Sequence, residues 1–176
     1  MKYLSALILV SFFGFYTQAQ KFKGLDKSPL DMIEYPGIRG QKQWARILYG
    51  RPQLKGRDIE SLVPEGELWR MGANEATELT LYDPMIIGGV ELPVGSYSLY
   101  AIPYEGEITI IVNKATHVWG SYYNKKMDVA RISVPLNTES DYLEALSMIF
   151  EKGSGPSGMN LHIGWGYYRA RISFTK

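Results

Sequence analysis

The sequence predicts an all-β fold, an antiparallel β-sandwich of about nine short strands, behind an N-terminal signal peptide. Two observations carry the fold class. Short segments of alternating apolar and polar residues recur along the chain, and Gly/Pro-rich turns separate them at regular spacing. Composition agrees: aromatics make up 13% of the chain and 13 residues are tyrosine, which suits pleated, half-buried surfaces.

The leader comes first. Lys2 supplies a positive charge, residues 4–16 are apolar with Ser5 and Ser11 as the polar interruptions, and Thr17-Gln18-Ala19 places small residues at a cleavage spacing. The apolar run of about 13 residues is too short to span a bilayer comfortably. Cleavage leaves a mature chain starting at Gln20 or Lys21, periplasmic or extracellular, with no second apolar run to form a transmembrane segment. That chain of about 155 residues is one domain by size.

Residues 20–41, rich in Gly, Pro, Lys and Asp, read as an extended N-terminal arm, and 42–176 as a single sandwich domain. Trp44, Arg46 and Leu48 alternate with Ala45, Ile47 and Tyr49 in a first strand that Gly50-Arg51-Pro52 ends. Turns follow at 55–57 and 64–66. Residues 77–82 form a strand stopped by Asp83-Pro84, and Gly88-Gly89 suits the tight turn of a hairpin spanning 85–92. Strands at 96–102 and 107–113 flank Pro103 to Gly106. Further strands fall at 129–134, 142–150, 160–165 and 167–174, and 115–123 has room for one helical turn. Segment 142–150 also fits a helical stripe through Leu143, Leu146 and Phe150, but strand is the better reading.

The segment Leu62-Val63-Pro64, Gly66, Leu68-Trp69-Arg70, then Gly72-Ala73-Asn74-Glu75-Ala76-Thr77 resembles the signature of a bacterial family described as domain of unknown function 2911. The likeness continues through Gly95, Tyr97, Leu99 and Ile102-Pro103, then Ile110-Ile111, Asn113, Trp119-Gly120, Asp128-Val129 and Arg131. Upstream it takes in Tyr49, Arg51-Pro52 and Lys55-Gly56-Arg57, so it covers nearly all of the mature chain. Ile59-Glu60-Ser61 departs from the family's pattern, which leaves the shape of that turn open. The resemblance implies an exported β-rich domain and brings no catalytic residues.

Composition excludes several chemistries. There is no cysteine, hence no disulfide, thiolate catalysis, iron–sulfur cluster or cysteine-held zinc. With 19 basic and 18 acidic residues and no charge block, nucleic acid is not an expected partner. His117 and His162 lie on separate elements with no metal-ligand spacing, so no metal or other cofactor is expected. No nucleophile elbow occurs, and the G-x-G-x-x-G string at 153–158 lacks a βαβ context.

The densest polar-aromatic cluster comprises Trp69, Arg70, Asn74 and Glu75, to which loop residues His117 and Trp119 add a second group. Arg70 offers a fork of donors for an anion, and Gly72 permits a tight bend or close backbone approach. These six are the candidate ligand-binding residues, and Arg70 is expected to pair with Glu75 across the bend. An alternative is a loop that braces itself, with Trp69 in the core. A second aromatic group comprises Trp165, Tyr167 and Tyr168. Three functions compete. The leading one is a non-catalytic exported module binding a small molecule, glycan or peptide, which needs Arg70, Asn74 or Glu75 to face an aromatic wall. The others are a structural or assembly protein of the cell envelope, with an open strand edge, and a hydrolase with a convergent acid/base pair.

Overall fold

The computed structural model describes residues 20–176, so the leader expected at 1–19 lies outside the described residues. Ten strands follow one another: β1 Leu30–Tyr35, β2 Ala45–Gly50, β3 Thr77–Leu81, β4 Met85–Ile87, β5 Val90–Leu92, β6 Gly95–Tyr104, β7 Glu107–Asn113, β8 Asp128–Pro135, β9 Asn137–Lys152 and β10 Gly158–Thr175. Six form one antiparallel sheet in the order β1-β2-β3-β6-β7-β8, and four form a second in the order β5-β4-β10-β9. Between the sheets, Ile47, Leu79, Leu99 and Ile110 of the first meet Leu146, Leu161, Ile163 and Phe174 of the second in one buried core. The period-2 alternation read from the sequence is what places these side chains on the inner faces.

Three elements differ from the sequence reading. Within the stretch expected as an extended arm, β1 pairs along its length with β2, from Leu30↔Gly50 to Tyr35↔Ala45. Its pattern was hidden because Leu30 and Met32 are exposed while Asp31, Ile33 and Tyr35 are half-buried. Asp31 tolerates that position because Arg51 Nη1 lies 3.1 Å away and the Tyr49 hydroxyl donates to it at 3.3 Å. The helical turn expected in 115–123 is absent, and a 3-10 turn follows it at Lys125–Met127. Backbone bonds hold the segment extended against its neighbour: the Ala76 N–H donates to the Val118 carbonyl and the Gly120 N–H to that of Asn74. The strands expected at 160–165 and 167–174 are one long strand, β10.

A bulge explains that last difference. Met159, Leu161, Ile163 and Trp165 face the core on odd numbers, whereas Ala170, Ile172 and Phe174 face it on even numbers. An extra residue must sit between the two sets, because each residue otherwise flips the face. The face switches at Gly166, at φ 56°, and the β9–β10 register shifts on both sides of it. The doubtful segment 142–150 lies within strand β9, which pairs with β10 at Leu143 and continuously from Ser147 to Lys152. Glycines 153 and 158 close the hairpin between them, the Gly153 N–H donating to the Gly158 carbonyl at 3.0 Å.

Candidate functional site

A pocket of about 370 Å³ is lined by both sheets and by the 59–69 segment. The sequence builds it from a β-bridge. Trp69 exchanges two 2.7 Å backbone hydrogen bonds with Ala101 of β6, extending the sheet beyond the end of β3. Its indole points inward and stacks on Trp165 of β10, ring centroids 5.8 Å apart and planes inclined by 20°. Ile108, Leu136, Leu146 and Ile163 complete an apolar interior.

A short 3-10 turn, Ile59–Ser61, forms one side of the pocket. This is the turn whose shape the sequence left open. The segment that follows is tied to the β6–β7 hairpin: Gly66 N–H donates to the Pro103 carbonyl at 2.7 Å, and Glu105 N–H donates to Glu65 Oε1 at 2.6 Å. The exposed residues Glu60, Glu65, Glu107 and Tyr104 surround the mouth. The Tyr168 hydroxyl donates to Glu60 Oε1 at 2.8 Å. That bond, with burial second, holds the phenol above its ordinary pKa.

Of the six residues singled out in the sequence, only Trp69 lines this pocket. The other five meet on the outer face of the six-stranded sheet. Successive residues of an extended segment point to opposite faces, so Trp69 inward sends Arg70 outward. There the arginine side chain runs under Gly120: a Cβ on that glycine would lie 1.8 Å from Arg70 Cδ. Glu75 forms a β-bridge with Trp119, and His117 Nδ1 lies 3.2 Å from Glu78 Oε2. Asn74 reaches the arm. The carboxyl of Asp26 is held below its usual range first by the Ser28 N–H and then by the Asn74 side chain.

The expected Arg70–Glu75 ion pair does not form among the described residues. Glu75 is exposed, and Arg70 Nε is buried without a hydrogen-bond partner. The reason lies in Gly72, which serves close packing rather than a bend. A Cβ there would meet Thr77 Oγ1 at 3.0 Å and the Gly50 carbonyl oxygen at 3.2 Å. The left-handed turns fall instead on Met71 (φ 54°) and Asn74 (φ 66°), and they carry Glu75 alongside Trp119. The arrangement needed by the leading function, an arginine facing an aromatic wall, is therefore not built by Arg70.

Beneath the 114–127 segment a second polar network forms. Asn113, fully buried, donates to the Asn124 carbonyl at 3.0 Å and to Asp128 Oδ1 at 2.8 Å, and accepts from the Ala115 N–H at 2.9 Å. Asp128 Oδ2 also receives the Tyr123 hydroxyl at 2.7 Å and Arg131 Nε at 3.0 Å. All of its members bond one another, so it reads as bracing.

Reading from sequence missed Glu60, Glu65, Tyr104 and Glu107 because their convergence depends on the 59–69 segment meeting the β6–β7 hairpin. The group Trp165, Tyr167 and Tyr168 was the one available signal, and two of its three members line the pocket. Among the described residues, no group of three or more His, Asp or Glu side chains is placed to hold a metal ion, and no helix is long and apolar enough to cross a membrane. A family model described as protein of unknown function (DUF2911) matches residues 28–174. No curated protein and no solved structure matches the chain.

Proposed function

We propose that this chain, which belongs to the DUF2911 family of proteins of unknown function, is a non-catalytic module that binds a small, largely apolar molecule in the pocket between its sheets. The observation that supports this reading is the pocket itself. Its volume of about 370 Å³ suits a small organic ligand, and it is floored by the Trp69–Trp165 stack rather than by a row of polar side chains. A glycan would need polar partners along its whole length, whereas here the carboxylates Glu60, Glu65 and Glu107 stand at the mouth and the interior is apolar. We further propose that the protein works after export, on the strength of Lys2, the apolar run behind it and Thr17-Gln18-Ala19.

Thermal melts against a panel of hydrophobic small molecules, glycans and peptides test the binding reading. Apolar compounds are expected to raise the melting temperature, since a ligand at about 100 times its Kd adds about 2.7 kcal/mol. Thr138→Trp, which places a bulky ring at the pocket's exposed lining, is expected to abolish that shift. Stabilisation by glycans alone, or a shift that Thr138→Trp leaves intact, refutes the assignment. Mass spectrometry of the exported protein tests the leader, and a mature form beginning at Met1 rejects it.

A further inference from the structure

The charge around the pocket narrows the ligand class. Three carboxylates, Glu60, Glu65 and Glu107, line it, and among the described residues the lining contains no lysine, arginine or histidine. Arg57 lines an adjoining cleft and spends its guanidinium on backbone: Nε donates to the Leu54 carbonyl at 2.9 Å and Nη2 to that of Gln53 at 2.7 Å. This local imbalance stands out in a chain whose net charge is only +1.

We propose that the ligand is an organic cation, an amine or ammonium group on a hydrophobic body. This rests on the pocket reading above. The apolar body would enter towards Trp69, Trp165 and Ile163, leaving the charged head at the mouth. There Glu60, Glu107 and the free oxygen of Glu65 supply acceptors, because Glu65 Oε1 is already taken by the Glu105 N–H. Tyr104 and Tyr168 add ring faces, which attract cations. An anionic head at the same place would meet three like charges and no donor cation, and a neutral head would gain nothing from the carboxylates.

Three probes with one body separate charge from shape: 4-phenylbutylamine, 4-phenylbutanol and 4-phenylbutyrate, titrated calorimetrically into the wild-type protein. The amine is expected to bind about tenfold tighter than the alcohol, and the carboxylate more weakly than both. Rising salt should narrow the gap, because the mouth carboxylates are exposed. Glu60→Gln combined with Glu107→Gln should bring the amine to within about threefold of the alcohol and leave the alcohol's affinity unchanged. The glutamine at 60 keeps an acceptor for Tyr168, so a folded variant is expected, and its melting curve confirms it. If that double variant does not fold, Glu107→Lys gives the same test, with the amine then the weaker binder. Equal affinities for amine and alcohol overturn the charge inference and leave the pocket reading standing. No heat from any of the three overturns both.

Discussion

Trp69 and Trp165 stack at 5.8 Å across the space between the two sheets, and this contact fixes the floor of the pocket. Trp69 is held by backbone bonds to Ala101 of the six-stranded sheet, and Trp165 by an indole N–H bond to the Glu144 carbonyl at 3.3 Å in the four-stranded sheet. Removing either ring therefore loses one contact between the sheets as well as the floor of the pocket. Trp165→Ala, at a buried position, should cost about 3–5 kcal/mol of stability, and Trp69→Ala less, because it is only half-buried. Urea unfolding measures both. A loss below about 1 kcal/mol for Trp165→Ala would show that the stack contributes little.

Gly120 seats the Arg70 side chain. An added Cβ would lie 1.8 Å from Arg70 Cδ and 2.6 Å from the Asn74 carbonyl oxygen, and the backbone atom cannot swing away. Gly120→Ala should therefore destabilise by about 1–3 kcal/mol, as overpacking does. Glu75→Gln, at an exposed carboxylate with no ion pair, should stay within about 0.5 kcal/mol of wild type. Thermal melts of the two variants together decide whether packing or charge organises this loop. A large loss for Glu75→Gln with a small one for Gly120→Ala would reverse the assignment.

From a fully buried position Asn113 holds the 114–127 segment by two hydrogen bonds, to Ala115 and Asn124, and bonds Asp128 of β8 by a third. Asn113→Ala leaves the Ala115 N–H without its partner, at about 1–3 kcal/mol for a buried group left unpaired, while the Asn124 carbonyl keeps the Met127 N–H. Amide exchange should accelerate in residues 114–127 before it does in β6 or β7, because those strands keep their ladder bonds. Uniform acceleration across the sheet would mean that the segment is part of the global fold rather than a strap over it.

Stability should fall at both ends of the pH scale, for opposite reasons. Lys176, then Lys42, hold the Asp83 carboxyl below its usual range. Its folded pKa is lower than its unfolded value of about 3.9, so its contribution is present above that value and lost as pH falls below it. Burial raises the phenols of Tyr49, Tyr97, Tyr100 and Tyr123. Above the ordinary tyrosine value of about 10, the unfolded chain releases protons that the fold retains, and stability drops as pH rises. Urea midpoints from pH 2 to 11 check both limbs. Asp83→Asn should flatten the acid limb and leave the alkaline one untouched. An unchanged acid limb would show that the Asp83 ion pairs do not govern it.

The sequence by itself determined most of the strand inventory, because alternation and turn chemistry are local. Residues 107–113 were legible as a strand from Ile108, Ile110 and Val112, and they form β7. The 85–92 hairpin was legible from Gly88-Gly89, both of which sit at positive φ. Where the inward face carried a charge, as at Asp31 in β1, the pattern was unreadable: its stability depends on Arg51 and Tyr49, distant in sequence. Where the face switched, at Gly166, the sequence showed the break but not that one strand runs through it. The candidate site was legible only in part. Trp69 and Arg70 are neighbours in sequence, yet the pleat sends one into the pocket and the other to the outer face. The choice of face was made by the Trp69–Ala101 bridge and the indole of Trp165, partners that only the tertiary structure brings together. The same holds for Glu60, Glu65 and Glu107: three unremarkable surface acids in the sequence become one charged rim because the 59–69 segment and the β6–β7 hairpin converge on a single opening.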